Sequence, residues 1–273
     1  MAGVLYVVAT PIGNLEDFSR RGASVLATVA TIAAEDTRRT RVLLDAIGVT
    51  GVPIVALHSH NETAASDAVL GRLRAGDSVA LVSDAGTPLI SDPGFELVRA
   101  CWAAGVTVVP VPGASAVAAV LSVCPLPGGR YLFEGFLPAR PGQREERLRE
   151  LLAMAVAVVF FEAPHRMAST LEYLERLAPG RRLMVGREMT KRHEQYLCDV
   201  PAVLRRTLSG DDRFKGEFVC VLEAGAESIG LEVRRTMEAL TRELSPAQAA
   251  RLGAQLLGRN RRELYELAIQ MKA

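Results

Sequence analysis

Four short loops of small residues each follow an apolar run, and their composition is typical of ligand-binding loops. They read ATPIGN (9–14), SDAGTP (83–88), PVPGAS (110–115) and FEAPHR (161–166). In open α/β sheets, ligands bind outside the carboxyl ends of the strands, and glycine there lets the backbone approach a ligand closely. We therefore expect these loops to form one cleft for a medium-sized, charged small molecule.

The longest of these segments, LVSDAGTPLISDPG at 81–94, is compatible with two interpretations. It could be a binding loop at the end of a strand, since loops in that position are often functional. It could equally be a strand-to-helix turn, in which Asp92 caps a helix that begins at Pro93.

Alternating apolar and amphipathic stretches in the first half of the chain predict strands separated by helices. The predicted strands lie at 4–10, 31–36, 52–58, 78–84 and 106–113. This alternation indicates βαβ units and hence a mostly parallel sheet. The segment CPLPGGR at 124–130 concentrates proline and glycine, so we predict a linker there.

The second half predicts another α/β domain and then helices alone. Strands are predicted at 131–137, 156–163, 182–188 and 217–224, helices near 143–154, 164–177 and 199–208, and antiparallel pairing is possible within 182–197. Beyond residue 230 the pattern is helical, with a Ser-Pro start at 245–246, a glycine stop at 258 and Asn260 as a cap. Because 273 residues exceed a usual single domain, we expect domains at 1–126 and 127–229 and a helical segment at 230–273.

The sequence lacks the signatures of several common enzyme classes. No two glycines are separated by a single residue and no glycine precedes a lysine, so the dinucleotide fingerprint and the P-loop are absent. His193 and Glu194 have no second histidine at the zinc-protease spacing. The four cysteines form no C-x-x-C pair and predict buried, reduced thiols; they are Cys101, Cys124, Cys198 and Cys220.

Composition and charge indicate a globular protein and leave the partner open. Hydrophobic residues make up 49% of the chain, yet no apolar run approaches the ~20 residues of a membrane span. The N-terminus has no basic region of a signal peptide, so we expect a cytoplasmic location. The net charge is +1, but RRLMVGREMTKRH (181–193) and GRNRRE (258–263) are basic clusters. Such clusters are either solvated faces or RNA contacts.

Nine motifs taken in order resemble one known family. They are LYVVATPIGNLEDFS, AEDTRRTRVLL, HSHNE, LVSDAGTPLISDPGFELV, VPGASAVAAVL, FEGFLP, FFEAPHRM, GREMTKRHEQ and GEFVCVLE, and LGRNRRELYELAI follows them. The chain resembles the bacterial small-subunit ribosomal RNA 2′-O-methyltransferases, which belong to the tetrapyrrole (corrin and porphyrin) methylase superfamily. The resemblance covers essentially the whole chain and implies two α/β domains, S-adenosylmethionine in the cleft between them, and a homodimer.

The resemblance also implies which residues bind the methyl donor. They are Asp84, Ala85, Gly86, Thr87, Ile90, Ser115, Ala116, Phe161, Glu162 and Phe218. Thr87 stands where the small-molecule methylases of the superfamily often have an aspartate. This difference leaves open whether Asp84 or another carboxylate faces the donor.

Methylation of a ribose hydroxyl, as the resemblance implies, is helped by a general base or by a cation that stabilises the alkoxide. The candidates near predicted strand ends are Glu35, Asp36, His58, His60, Glu188 and Lys191. We favour Glu188 and Lys191 as catalytic residues. RNA contacts are predicted for Arg38, Arg39, Arg192, Arg259, Arg261 and Arg262.

Each candidate group also has a structural alternative. Asp36 precedes a helical stretch and is a natural N-cap. His58 and His60 share one face of an extended segment, but no further ligands are apparent, so we predict no metal site. Glu188 and Lys191 could simply pair with one another at the surface.

We therefore predict an S-adenosylmethionine-dependent 2′-O-methyltransferase acting on a cytidine of small-subunit ribosomal RNA, as free RNA or in the assembled subunit. One alternative is a methylase of a tetrapyrrole precursor, which would share the donor site but not need the basic clusters. Another is an RNA-binding assembly factor without catalysis, which would not bind the donor.

Overall fold

The computed structural model describes residues 2–126, 129–209, 214–225 and 231–272. In that part, the chain forms two five-stranded sheets followed by three helices. We refer to the first α/β unit (2–126), the second α/β unit (129–225, in its described part) and the helical unit (231–272).

The first α/β unit is a parallel sheet with helices on both faces. Its elements are β1 (Val4–Val8), α1 (Arg20–Thr28), β2 (Thr31–Ala34), α2 (Thr37–Ala46), β3 (Ile54–Ala56), α3 (Glu62–Ala75), β4 (Val79–Val82), α4 (Phe95–Ala103), β5 (Thr107–Val111) and α5 (Ala116–Ser122). The strand order is β3-β2-β4-β1-β5, and every pairing is parallel, as predicted. Strands β2 and β4 are buried along their whole length because α1 and α2 cover one face and α3 and α4 the other.

The second α/β unit contains a mixed sheet. Its elements are β6 (Tyr131–Phe136), α6 (Pro141–Leu152), β7 (Ala157–Glu162), α7 (Pro164–Leu177), β8 (Leu183–Arg187), β9 (Gln195–Asp199), α8 (Pro201–Leu208) and β10 (Phe218–Leu222). The strand order is β6-β7-β10-β8-β9, with β6 and β7 parallel and the other pairs antiparallel. The antiparallel pairing predicted within 182–197 is that of β8 with β9.

The two faces of this second sheet have different partners. Helices α6, α7 and α8 cover one face around the fully buried Phe160. The other face packs against the first α/β unit, where Ile12 and α5 share an apolar cluster with β7, β8 and β10. This interface joins the two units.

The helical unit consists of α9 (Leu231–Glu243), α10 (Pro246–Leu257) and α11 (Arg261–Lys272), which pack around a core of their own. Its predicted signals are confirmed. Ser245 forms a capping box with Gln248, Gly258 ends α10, and the Asn260 side chain accepts a hydrogen bond from the backbone of Arg262.

Of the two interpretations of residues 81–94, the one in which Asp92 caps a helix that begins at Pro93 is wrong. Helix α4 begins at Phe95 rather than Pro93, and its N-cap residue is Gly94, which has no capping side chain. The carboxylate of Glu62, at the start of α3, accepts hydrogen bonds from the backbone of Gly94 and of Glu96 instead, at 2.9 and 3.0 Å. A partner distant in sequence thus satisfies the helix end.

Other predictions are only partly tested. The predicted linker at 124–130 contains residues 127–128, which lie outside the described residues, as do residues 226–230. Both predicted domain boundaries lie at or within these two gaps, so the division at 1–126, 127–229 and 230–273 stays a prediction. The four cysteines are free thiols, but only Cys101 and Cys220 are fully buried. In the described part of the chain, no helix is long and apolar enough to cross a membrane.

Candidate functional site

A cavity of about 450 Å³ lies between the two α/β units, at the carboxyl ends of the first sheet's strands. All ten residues predicted for the donor site line it: Asp84, Ala85, Gly86, Thr87, Ile90, Ser115, Ala116, Phe161, Glu162 and Phe218. The volume is that of a small-molecule site. The expected cleft is therefore present, and both sheets contribute to it.

The β4–α4 loop, residues 83–94, forms one wall of this cleft and is held by the first α/β unit. Thr10 and Gly86 exchange two backbone hydrogen bonds, of 2.8 and 3.1 Å. The Thr87 hydroxyl donates to the Ala114 carbonyl at 3.1 Å, which ties the loop to the segment before α5. Together with Glu62, these bonds fix a loop that has no regular structure of its own.

Phenylalanine side chains and Glu162 contribute to the opposite wall. Among the described residues, Phe136, Phe161 and Phe218 line the cavity from β6, β7 and β10. The carboxylate of Glu162 is buried and turned away toward α7, where it accepts a hydrogen bond from Thr170 and pairs with Arg166. Glu162 therefore holds the wall together, and any contact it makes with a ligand would involve its backbone.

Acidic side chains surround the β4–α4 loop. The backbone N–H of Asp84 donates to Glu35 at 3.2 Å, and the Asp84 carboxylate accepts from the backbone of Asp36 and pairs with Arg39 at 3.2 Å. Burial raises the pKa of Asp84, and the Arg39 charge opposes that shift. Asp36 also caps α2, as predicted.

Asp92 lines the same wall, and its carboxyl group has a strongly shifted pKa. Burial raises that pKa to about 6, and the neighbouring charges of Glu35 and Asp84 act in the same direction, while a hydrogen bond with Ser83 opposes it. Asp92 was not among the residues predicted for the donor site, although the segment 81–94 that contains it was considered as a binding loop.

Glu188, Lys191 and Glu217 form an ion cluster at the edge of the cleft. The Lys191 Nζ atom lies 3.0 Å from Glu188 Oε1 and 2.8 Å from Glu217 Oε2. Glu217 lines the cavity, whereas Lys191 and Glu188 do not. Of the two predicted catalytic residues, Lys191 thus pairs directly with a residue that lines the cavity, and Glu188 pairs with Lys191.

The ion cluster also contacts the first α/β unit. A Cβ atom at Gly13 would lie only 2.4 Å from Lys191 Cγ, so the absence of a side chain there allows the close approach of the ATPIGN loop. Burial by itself lowers the pKa of Lys191, but the hydrogen bonds to Glu217 and Glu188 outweigh it and raise the pKa above its usual value. Lys191 is therefore a cation at neutral pH.

Glu188 is correspondingly an anion. Burial opposes its ionisation, but the backbone N–H of Glu217 and the Lys191 ammonium outweigh burial and lower its pKa. A carboxylate with a lowered pKa is a weak general base. The cluster thus contains a positioned ammonium between two carboxylates, and Glu188 is not an effective base.

Unusual backbone conformations concentrate in the two loops beside the cleft. Among the described residues, the non-glycine residues with positive φ are Leu89, Ser91, Glu188 and Thr190. Two lie in the β4–α4 loop and two between β8 and β9, next to Lys191. Such conformations cost free energy and are often found at functional sites.

The predicted RNA-contacting arginines fall into separate groups. Arg39 lines the cavity, and Arg38 is exposed beside it and paired with Asp36. Arg192 is exposed next to Lys191. Arg259, Arg261 and Arg262 lie at the turn between α10 and α11 and do not line the cavity.

The remaining candidate groups have other surroundings. His58 and His60 contact each other edge to face, with ring centroids 6.0 Å apart. Within the described ranges, no group of three or more histidine, cysteine, aspartate or glutamate side chains could hold a metal ion. The cavity also contains residues that the sequence analysis did not assign to a ligand: Ile12, Ser91, Asp92, Val117, Phe136, Ala163, Pro164 and Val219. All eight lie within the motifs that carry the resemblance, but most are apolar, and their residue types alone did not indicate a ligand contact.

Comparison with known proteins identifies similar sequences along nearly the whole chain. Residues 4–202 match the model of the tetrapyrrole (corrin/porphyrin) methylases, and residues 227–272 match that of the RsmI C-terminal HTH domain. The chain is 47% identical over 268 residues to ribosomal RNA small subunit methyltransferase I of Xylella fastidiosa, covering 96% of this chain and 98% of the relative. It is 40% identical over 275 residues to the protein of that name from Escherichia coli O157:H7, covering 99% and 96%.

Solved structures of lower identity share the fold. Cobalt precorrin-4 methyltransferase, a cobalamin biosynthetic enzyme, superimposes with a TM-score of 0.60 at 15% identity, covering 81% of this chain and 94% of that one. Uroporphyrin-III C-methyltransferase of Thermus thermophilus, complexed with S-adenosylhomocysteine, gives 0.53 at 16% identity, covering 81% and 97%.

The raised pKa of Asp92 predicts that Asp92→Asn stabilises the protein at neutral pH. Because the folded state binds this proton more tightly than the unfolded chain, the contribution of Asp92 to stability falls as the pH rises from 3.8 to about 6. At pH 7, denaturant unfolding should show that Asp92→Asn raises the free energy of unfolding by about 1 kcal/mol. The pKa shift alone would correspond to a larger gain, but solvent screens a group that is not fully buried. The gain should vanish below pH 4.

Asp67→Asn, in the exposed face of α3, is the matched control and should change stability little at either pH. A gain for Asp92→Asn that is equal at pH 4 and pH 7 would contradict the assigned pKa.

Proposed function

The chain belongs to the tetrapyrrole (corrin/porphyrin) methylase family, and we propose that it is an S-adenosylmethionine-dependent methyltransferase that modifies the 2′-hydroxyl of a cytidine in small-subunit ribosomal RNA. The observation that carries this proposal is the 40–47% identity to small-subunit ribosomal RNA methyltransferases I, which continues through the helical unit. The solved uroporphyrin-III C-methyltransferase and cobalt precorrin-4 methyltransferase, in contrast, match in fold at only 16% and 15% identity. The alternative of a tetrapyrrole substrate is therefore less well supported.

The cleft fits the methyl donor in its charge and in its shape. When bound, S-adenosylmethionine supplies a methyl group on a positively charged sulfur. The carboxylates of Glu35, Asp84 and Asp92 on the first wall suit a cationic ligand, and the loops around Gly86 and Ser115 bring backbone groups to the cavity. The buried ring of Phe218 gives the opposite wall an apolar surface.

Lys191 stabilises the negative charge that develops on the attacking ribose oxygen. Its ammonium is held by Glu188 and Glu217, and the second of these lines the cavity. A cation that is already in place needs no reorganisation during the reaction, which makes its effect on the rate large. Glu188 positions Lys191 through their ion pair. Glu188 is not the general base, because its lowered pKa makes it a poor proton acceptor.

Arginines on two surfaces contact the RNA backbone. Arg38 and Arg39 border the cleft, and Arg192 lies beside the ion cluster, so these three hold phosphates next to the target nucleotide. Arg259, Arg261 and Arg262 belong to the helical unit and bind phosphates further away. The charge of the helical segment supports this role, with eight Lys and Arg against five Asp and Glu between 231 and 273.

The proposal extends to the form in which the protein works. It is a cytoplasmic homodimer, its substrate is the small-subunit RNA or the assembled subunit, and its domains comprise residues 1–126 and 127–229 with a helical segment at 230–273. The dimer and the location are what the family resemblance implies.

Incubation with labelled methyl donor tests the reaction. We expect transfer to unmodified small subunits or their RNA, and none to a tetrapyrrole precursor. A 2′-O-methyl group blocks alkaline cleavage of the adjacent phosphodiester, so the labelled nucleotide should resist alkali. Label in an alkali-labile nucleotide would overturn the reaction class, and label in the tetrapyrrole would favour the alternative.

Lys191→Ala should slow methyl transfer by about a hundredfold or more, because removal of one well-placed electrostatic group typically costs that much. Donor affinity, measured by calorimetry, should change little since Lys191 does not line the cavity. Lys191→Arg keeps the charge and should retain more activity than Lys191→Ala. Full activity of Lys191→Ala would remove Lys191 from the mechanism.

Replacing Arg259, Arg261 and Arg262 together by Gln should weaken RNA binding and reduce the slope of log affinity against log salt by about 2, because fewer counterions are released. The matched control replaces Arg149, Arg176 and Arg205, which pair with glutamates on the second α/β unit. An equal change in slope for both triple variants would argue against a specific role of the helical unit.

A further inference from the structure

A β-bulge in β6 places an exposed phenylalanine at the mouth of the cleft. The pairing of β6 with β7 shifts between Phe133 and Gly135, so that Glu134 is the extra residue. Gly135 has φ +74, a conformation that glycine adopts without strain. Without the bulge, Phe133 and Phe136 would project from opposite faces of the sheet.

With the bulge, both side chains pack against the same ring. Phe133 contacts Phe161 with ring centroids 5.2 Å apart, and Phe136 contacts it at 5.4 Å. Glu134 itself is held outside the ladder by paired hydrogen bonds to Arg147, each 2.7 Å long. The bulged backbone, the bonds between Glu134 and Arg147, and the contact with Phe161 thus fix the orientation of Phe136.

The phenylalanines of the cleft differ in depth. Phe218 is 2% exposed and Phe161 is half-buried, whereas Phe136 is 56% exposed although it lines the same cavity. A large aromatic side chain that is held in place and left open to solvent offers a flat apolar surface to a ligand. The packing of the protein itself does not require this exposure.

We propose that Phe136 is the platform on which the base of the target nucleotide stacks when that nucleotide enters the cleft, an inference that rests on the proposed function. A nucleotide that enters a cleft between two protein units leaves its neighbours in the RNA stack, and an aromatic ring replaces the stacking that is lost. The deeper wall, with Phe161 and Phe218, is left to the methyl donor.

The charges around Phe136 match a nucleotide in this orientation. Phe136 and Glu217 stand on β6 and at the start of β10, which flank β7, so they are about two strand spacings, or ~10 Å, apart on the same wall. This separation leaves room for the ribose between a base on Phe136 and the ion pair of Glu217 with Lys191. Arg39, which is 68% exposed on the opposite wall, faces the phosphates.

Binding of cytidine monophosphate tests the platform without catalysis. With saturating S-adenosylhomocysteine, saturation-transfer NMR should show contact between the wild-type protein and the base protons. Phe136→Ala and Phe136→Leu should lose about 80% or more of this signal, as expected when a stacking contact is removed, whereas Phe136→Trp should keep it. An undiminished signal in Phe136→Ala would overturn the proposal.

Steady-state transfer to small subunits provides the second measurement. Phe136→Ala should lower kcat/KM for the RNA substrate about tenfold to a hundredfold, while the affinity for S-adenosylhomocysteine changes less than about threefold. Tyr131→Ala, at the other end of β6 and 51% exposed, is the matched control and should leave both unchanged.

The outcomes separate this proposal from the function on which it rests. A loss of S-adenosylhomocysteine affinity in Phe136→Ala equal to the loss of kcat/KM would assign the ring to the adenine of the donor and overturn the platform. If wild-type protein methylates no small-subunit RNA but binds the base of cytidine monophosphate through Phe136, the proposed function fails and the platform stands.

Discussion

The contact between α5 and the second sheet is the interaction on which the cleft depends. Val117 and Val120 of α5, together with Ile12, are buried against β7, β8 and β10. This apolar contact sets the distance between the carboxyl ends of the first sheet and the face of the second. Burial of apolar surface is the main favourable term in folding. The apolar packing of α5 against the second sheet therefore fixes the relative positions of the two walls, rather than the polar groups that line the cleft.

The two walls of the cleft divide the chemical tasks between them. The first α/β unit supplies a loop anchored by Thr10 and Glu62, with acidic groups around it. The second supplies flat aromatic surface and, at its edge, the cation Lys191 between two glutamates. The Gly13 contact links this cation to the first unit, so the position of Lys191 depends on how the units are joined.

Local sequence signals predicted most elements of the fold, and the family resemblance pointed to many of the residues that line the cleft. The apolar runs of β2, β4 and β10 and the caps Asp36 and Asn260 were evident because each depends on residues close in sequence. All ten residues expected from the motifs line the cavity. The interpretation in which Asp92 caps a helix was wrong because the group that satisfies the start of α4, Glu62, is 32 residues away from Gly94.

The order of strands and helices along the chain, the loops that carry small residues and the family were evident from the sequence, since periodicity, turn residues and motifs are properties of neighbouring residues. The surroundings of individual side chains became clear from the folded structure. It turned Glu162 away from the cleft, raised the pKa of Asp92 by burial, and placed Phe136 at the cleft mouth through a bulge. Burial, strand register and charge pairing arise between segments distant in sequence, which no local pattern records.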